Sequence, residues 1–192
     1  MNAFPRLRNG LFAALLFVSA SASAREIAGV DVPESVTVEG KTLKLNGAGM
    51  RKKFIIKVYV GALYLEANST DAAAILSADS VRQVRMTFLR SVDKEKIVGA
   101  YKEGFEKNSK DKAAALQGGL DKIAAALPAE VKSGQEMWVT YVPSKGTTIA
   151  VKDGPSVTIP GKDFGDALLR NWLGPEPADA GLKKELLKGE AK

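Results

Sequence analysis

The spacing of apolar residues changes along this chain, and each spacing predicts an element. Beta-branched runs at 36–38 and 42–45 flank Glu39-Gly40-Lys41, which predicts a hairpin about a glycine turn. Asn46-Gly47-Ala48-Gly49 reads as a loop. Residues 54–65 are almost continuously Ile, Val, Tyr and Leu, the pattern of a central strand covered on both faces. Ser69-Thr70-Asp71 caps a short helix at 72–77. Residues 81–89 alternate, with Val84, Met86 and Phe88 on one face and Arg85 and Thr87 on the other, so this stretch is a half-buried strand.

From Ser91 or Asp93 the spacing becomes helical. Ile97, Val98, Tyr101 and Phe105 form one stripe of a helix running to about Asn108. A second helix starts at Asp111, with Leu116, Leu120, Ile123, Ala124 and Leu127 on one side, and stops at Pro128. Three short runs at 137–142, 147–151 and 157–159, joined by Ser144-Lys145-Gly146 and Asp153-Gly154, predict an antiparallel meander. A helix at 164–172 ends before Gly174-Pro175, and Asp179 caps a last helix reaching Leu187. Strands, helices, strands and helices in that order predict a single α+β domain, a mainly antiparallel sheet covered by helices, and not a βαβ nucleotide fold.

The first 24 residues have a different character. Arg6 and Arg8 precede an apolar run at 11–18, and a small, neutral stretch ends in Ala22-Ser23-Ala24. This order predicts a signal peptide cleaved after Ala24, leaving 25–192 as the working domain in the periplasm or outside the cell. The apolar run is too short to cross about 30 Å of hydrocarbon, and no later segment has transmembrane length. No cysteine follows the small residues, which excludes a lipoprotein anchor.

Composition narrows the chemistry. The formal charge of +6 falls to +4 without Arg6 and Arg8, since 26 Lys and Arg then face 22 Asp and Glu. The signs are mixed along the chain, which argues for solubility and against nucleic-acid binding. The chain has no Cys, so its core must hold without disulfides, and no His. The missing His rules out Ser-His-Asp and Cys-His catalysis and removes the commonest transition-metal ligand. The carboxylates show no ligand spacing, so neither a metal nor a cofactor is expected.

Candidate chemistry lies in Gly47-Ala48-Gly49-Met50-Arg51-Lys52-Lys53 and the strand after it. Glycines let backbone approach a ligand, and the planar Arg51 fork can grip a carboxylate with two parallel bonds. Tyr59 and Tyr64 are five apart and face opposite sides of a regular strand. A shaped loop with a solvated Arg51 and two packing tyrosines remains the alternative. Gly47-x-Gly49 lacks the third glycine and the following helix of a nucleotide site. Trp138 and Trp172 read as core aromatics, and Lys183 and Lys184 as a solvated face.

Residues 47–66 resemble the segment shared by chalcone isomerases and the related plastid fatty-acid-binding proteins. Residues 159–174, Ile159-Pro160-Gly161-Lys162-Asp163-Phe164 through Trp172-Leu173-Gly174, resemble the C-terminal block of bacterial chalcone isomerase-like proteins, as does the 182–189 tail. The resemblance covers about residues 30–189. It implies a chalcone isomerase-like open-faced β-sandwich, a large antiparallel sheet with helices on one face and a ligand cleft between them. In the isomerases a phenolate oxygen adds across an enone within one molecule, helped by a cationic environment and a hydroxyl network, without metal or His.

The resemblance also implies site residues. Arg51 matches the cleft arginine of both branches. Tyr59 stands where plant isomerases carry a catalytic Thr and where the fatty-acid-binding branch carries Tyr, whose partner arginine helps hold the carboxylate. Arg85 falls near the family's cleft lysine. Lys94 falls at an isomerase Tyr and Tyr101 at an isomerase Asn, and both depart from the catalytic pattern. The expectation is a non-catalytic protein that binds a small amphipathic carboxylate such as a fatty acid through Arg51, Tyr59, Arg85, Lys94 and Tyr101. Apolar residues of 54–63 and 97–105 would line the tail. The alternatives are an intramolecular lyase using Arg51 and Tyr59 on an enone, and an envelope protein that binds a protein partner and keeps a vestigial cleft.

Overall fold

The computed structural model describes residues 24–189, so the predicted signal peptide lies outside the described residues except for Ala24. The chain begins with a separate hairpin, β1 (Ala24–Ile27) and β2 (Val30–Pro33). Then come β3 (Ser35–Val38), β4 (Lys41–Lys53), β5 (Ile56–Leu65), α1 (Ala72–Ser77) and β6 (Arg82–Phe88). A short β7 (Val92–Asp93) leads into α2 (Lys94–Asn108), a 3₁₀ turn (Lys110–Lys112) and α3 (Ala113–Ala126). The chain continues through β8 (Glu130–Val131), β9 (Glu136–Val142), β10 (Gly146–Val151), β11 (Ser156–Ile159), α4 (Lys162–Leu173) and α5 (Ala180–Leu186).

Seven strands make one antiparallel sheet in the order β11-β10-β9-β6-β5-β4-β3, while β7 pairs with β8. The predicted hairpin and meander are present, and the α+β class holds. The helices pack over one face. There Leu63, Val84, Met86, Phe105, Ile123 and Leu168 meet in the larger core. Burying each such side chain contributes about 1.5–3 kcal/mol. On the other face Val60, Ala62 and Tyr64 of β5 join Leu43 and Leu45 of β4 in a second core, which Val32 of the first hairpin covers. The Tyr64 hydroxyl donates to the Pro33 carbonyl at 2.9 Å and ties that hairpin down.

Two stretches differ from their sequence pattern. Asn46–Gly49 is strand, not loop: β4 runs through it with a register shift between Leu45 and Gly47. Asn46 is fully buried. Its amide nitrogen donates to the Ser69 and Leu186 carbonyls at 2.9 and 2.8 Å, and its oxygen accepts from the Ser69 N–H at 2.7 Å. The glycines beside it admit a helix, not a ligand. A Cβ on Gly47 would sit 2.1 Å from the Glu185 carbonyl oxygen, so α5 lies on bare β4 backbone. The second difference is at the start of β5, which begins at Ile56 and not at residue 54. Phe54 and Ile55 form the turn after Lys53, in solvent.

Helix ends follow the local chemistry. The Asp71 carboxylate accepts from the Ala73 and Ala74 N–H groups at 2.8 and 3.2 Å and caps α1. Asp179 caps α5 through Leu182 N–H at 2.9 Å, and its second oxygen accepts from Lys52 N–H at 2.8 Å, linking that helix to the end of β4. Lys183, expected on a solvated face, instead donates to the Gly174 carbonyl just past the end of α4 at 2.8 Å.

Candidate functional site

The helix-facing surface of β4 and β5 carries Gly47, Gly49 and Arg51 on one strand and Tyr59, Gly61 and Leu63 on the other, by the alternation of the strands. Arg51 and Tyr59 are register partners, and the Arg51 guanidinium carbon lies 5.6 Å from the centre of the Tyr59 ring. The register shifts between Arg51 and Lys52, which leaves Val58 as an extra residue on β5. Both Val58 and Tyr59 therefore turn toward the helices.

Here α2, α4 and the segment before α5 stand away from the sheet and leave a cleft. It encloses about 450 Å³ of empty space, counting its open mouth. Arg51 and Tyr59 form the sheet wall, Ile97 and Tyr101 of α2 and Trp172 of α4 the helix wall, and Met86 and Phe88 lie deeper along the sheet. The lining is mostly apolar with a few polar atoms.

Three of those polar groups are hydrogen-bond donors with little to donate to. Trp172 Nε1–H donates to the Tyr59 hydroxyl oxygen at 2.8 Å, which leaves the hydroxyl hydrogen of Tyr59 available. The buried Arg51 Nε and the Tyr101 hydroxyl have no hydrogen-bond partner. Burial raises the pKa of Tyr59, against the lowering effects of Arg51 and the Trp172 bond, so its phenol stays protonated. Burial raises Tyr101 as well, helped by Tyr59 and opposed by Arg51. The aromatic rings fix one another, with Tyr101 edge-on to Trp172 at 6.0 Å and Tyr59 tilted against Phe88 at 5.7 Å. An uncharged pair of phenols beside a guanidinium suits an acceptor-rich anionic group better than a cation.

The structure brings three of the five sequence-derived site residues together and separates two. Arg51, Tyr59 and Tyr101 line the cleft. Arg85 lies on the opposite face of the sheet, because Met86, its neighbour on β6, takes the helix side. There its Nε donates to Gln83 at 2.6 Å, and its guanidinium lies 4.8 Å from the Trp138 ring and 5.7 Å from Tyr64. Trp138, expected in the core, is only half-buried on that outer face, with Nε1 donating to Glu136 at 3.0 Å. Lys94 begins α2, outside the cleft, where its backbone N–H donates to the Ala129 carbonyl at 2.9 Å. Of the residues said to line the tail, Phe54 and Ile55 are in solvent, whereas Val58, Ile97 and Tyr101 do face the cleft.

Sequence reasoning placed Trp172 in the core, which is right, but missed that its indole holds Tyr59. The amphipathic stripe of α4 marks a buried Trp and says nothing of its partner 113 residues away. Lys96 and Asn171 also line the cleft. Lys96 pairs with Asp93 at 2.5 Å, and the Asn171 amide donates to the Leu168 carbonyl at 2.9 Å. Among the described residues no cluster of His, Cys, Asp or Glu could hold a metal ion, and no helix is long and apolar enough to cross a membrane.

The profile of the chalcone isomerase-like family matches residues 24–188. The chain belongs to that family. Among solved structures, the fatty-acid binding protein of Arabidopsis thaliana is similar to it at a TM-score of 0.61 and 17% identity, over 83% of this chain and 92% of the plant protein. That likeness is one of fold, and it agrees with the open-faced sheet-and-helix architecture seen here. No curated protein matches the sequence.

Proposed function

We propose that this chalcone isomerase-like protein is a non-catalytic binder of a small amphipathic carboxylate of the fatty-acid class, held in the cleft between sheet and helices. The observation that carries this reading is the convergence of three unspent donors, Arg51 Nε–H, Tyr59 O–H and Tyr101 O–H, in an otherwise apolar cleft. A carboxylate has two acceptor oxygens with about four lone-pair positions, enough for all three, and the apolar walls suit a hydrocarbon tail. Unpaired donors in a low-dielectric site are costly, so an anion that satisfies them gains more there than in water. The fold likeness to a fatty-acid binding protein supports the same class of ligand. We also propose that the chain is exported and works outside the cytoplasm, on the strength of the N-terminal pattern.

Native mass spectrometry of the protein isolated from its own host, followed by denaturation, tests the reading directly. A co-purifying carboxylate that is lost in Arg51→Ala is the expected result. Titration with a long-chain fatty acid should show Arg51→Ala weaker by roughly 10- to 100-fold, the loss of a charge-assisted contact. Equal affinity in wild type and Arg51→Ala would remove Arg51 from the site. Arg51-dependent cyclisation of a hydroxychalcone above the spontaneous rate would replace binding with the lyase reading. The mass of the secreted chain tests export: cleavage after Ala24 is expected, and retention of the whole chain in the cytoplasm would refute it.

A further inference from the structure

The hairpin that joins β4 to β5 ends in apolar side chains that the fold leaves in water. Phe54 is 89% exposed, Ile55 94% and Ile56 44%, the only large hydrophobic side chains so exposed among the described residues. Single exposed apolar residues are ordinary, but three in succession at a projecting turn are not. The turn is itself unusual. Phe54 holds φ at 58° in a two-residue hairpin loop, a place that Gly, Asn or Asp ordinarily takes. A bulky aromatic in that conformation lowers stability, so folding does not account for it.

The charges around the tip point the same way. Lys52, Lys53 and Lys57 are all exposed, and Lys52 faces Lys57 directly across the ladder. Like charges opposite each other weaken a strand pair. Among the described residues none of the three forms a salt bridge, although Lys53 is near enough to Glu103 to affect its carboxyl. Phe-Ile-Ile flanked by Lys52, Lys53 and Lys57 is strained, apolar and cationic at once. The exposed apolar side chains cost free energy in water and the facing lysines repel each other, and an anionic surface with an apolar interior relieves both.

We propose that the β4–β5 tip docks the protein on an anionic lipid bilayer. Phe54 and Ile55 enter the boundary between headgroups and acyl chains, while Lys52, Lys53 and Lys57 lie along the phosphates with their stems on the apolar side. A protein partner fits the tip less well, because a stable protein interface takes roughly 20–30 residues a side and this patch is one turn. The tip is a two-residue turn with both side chains in solvent, which suits a surface that yields around it. Arg51, in the sheet wall of the cleft, is three residues before Phe54, roughly 10 Å at strand rise, so docking brings that wall close to the lipid. The proposal stands whether or not the cleft holds a fatty acid.

Co-sedimentation with vesicles tests it, using the protein as its host processes it and variants with the same N-terminus. Wild type should bind vesicles of equal phosphatidylglycerol and phosphatidylcholine, bind pure phosphatidylcholine weakly, and dissociate as salt rises. Phe54→Ser/Ile55→Ser should bind the anionic vesicles at least about tenfold more weakly. Replacing the three lysines with Ser should cost about fivefold each in partitioning. The changes lie in an exposed turn, so folding should survive. Independently of them, Phe54→Trp should show a blue-shifted emission on anionic vesicles. Equal binding by wild type and the Ser double variant, no binding by wild type, or no emission shift would each overturn the proposal. So would a dimer in sedimentation velocity that the Ser double variant dissolves without any vesicle binding.

Discussion

Arg51 and Tyr59 stand opposite each other on neighbouring strands, and the tyrosine is fixed from behind by the Trp172 indole, 2.8 Å from its hydroxyl. The sheet register sets the cation beside the phenol, and α4 orients that phenol by taking up one of its lone pairs. The cleft is thus built from two local facts, a ladder position and a helix-borne donor, that no single stretch of sequence contains.

Tyr59→Phe should separate the roles of this hydroxyl. It leaves Trp172 Nε1–H buried without its acceptor, so stability should fall by about 1–3 kcal/mol in urea denaturation. Affinity for a fatty acid should fall about tenfold or more by calorimetric titration. Unchanged stability would show that water replaces the phenol, and unchanged affinity would remove Tyr59 from the ligand's contacts.

Two adjacent glycines of α3 should respond in opposite directions to alanine. Gly118 has open space where a Cβ would go, so Gly118→Ala should raise stability by about 0.8–1 kcal/mol through helix propensity. At Gly119 a Cβ would lie 2.2 Å from the ring of Phe164, which is itself buried and edge-on to Phe105. Gly119→Ala should therefore destabilise by about 1–3 kcal/mol. Thermal unfolding of the pair checks both signs, and two shifts in the same direction would contradict the packing of α3 on α4.

Arg82 is buried at the start of β6 and pairs with Asp166 of α4, which Lys162 also contacts at 2.5 Å. The guanidinium further donates to the Ala78 carbonyl at 2.8 Å and lies 4.5 Å from the Tyr141 ring. Asp166→Asn should cost about 3 kcal/mol, because it leaves a buried cation without its anion. The double change Arg82→Met/Asp166→Leu should be closer to neutral. A fully additive double variant in urea denaturation would show that the two side chains act independently.

All four tyrosines of the chain have pKa values raised by burial, Tyr64 and Tyr141 to about 12. For Tyr141 the hydrogen bond to Asp79, 2.5 Å long, adds to the rise. The protonated phenols belong to the folded state. Between the ordinary value of about 10 and about 12 the unfolded chain loses protons that the folded chain keeps, so stability falls as pH rises. Tyrosinate absorbance should stay low through pH 10 and rise with unfolding nearer 12. A native protein titrating a tyrosine at 10 would show that ring to be solvated.

The sequence by itself determined the class of the fold and most of its elements, because those rest on local periodicity. Alternation in β6, the 3–4 stripe of α2 and the caps at Asp71 and Asp179 each require only neighbouring residues. The resemblance carried by 47–66 and 159–174 added the family, and with it Arg51 and Tyr59. What needed tertiary structure was which surfaces meet. Gly47 and Gly49 look like a loop until α5, from the far end of the chain, lies on them and makes their bare backbone a packing surface. Alternation along β6 puts Arg85 on the face away from Met86 and Phe88, and only the pairing of Tyr59 with Phe88 and Arg51 shows that the cleft lies on the other side. Phe54 and Ile55 carry the composition of a buried strand, yet the hairpin turns there, and a turn projecting past the sheet has nothing to bury against. Periodicity specifies which side of an element is apolar; the identity of the partner depends on contacts between residues distant in sequence, and there the cleft and its exposed tip were decided.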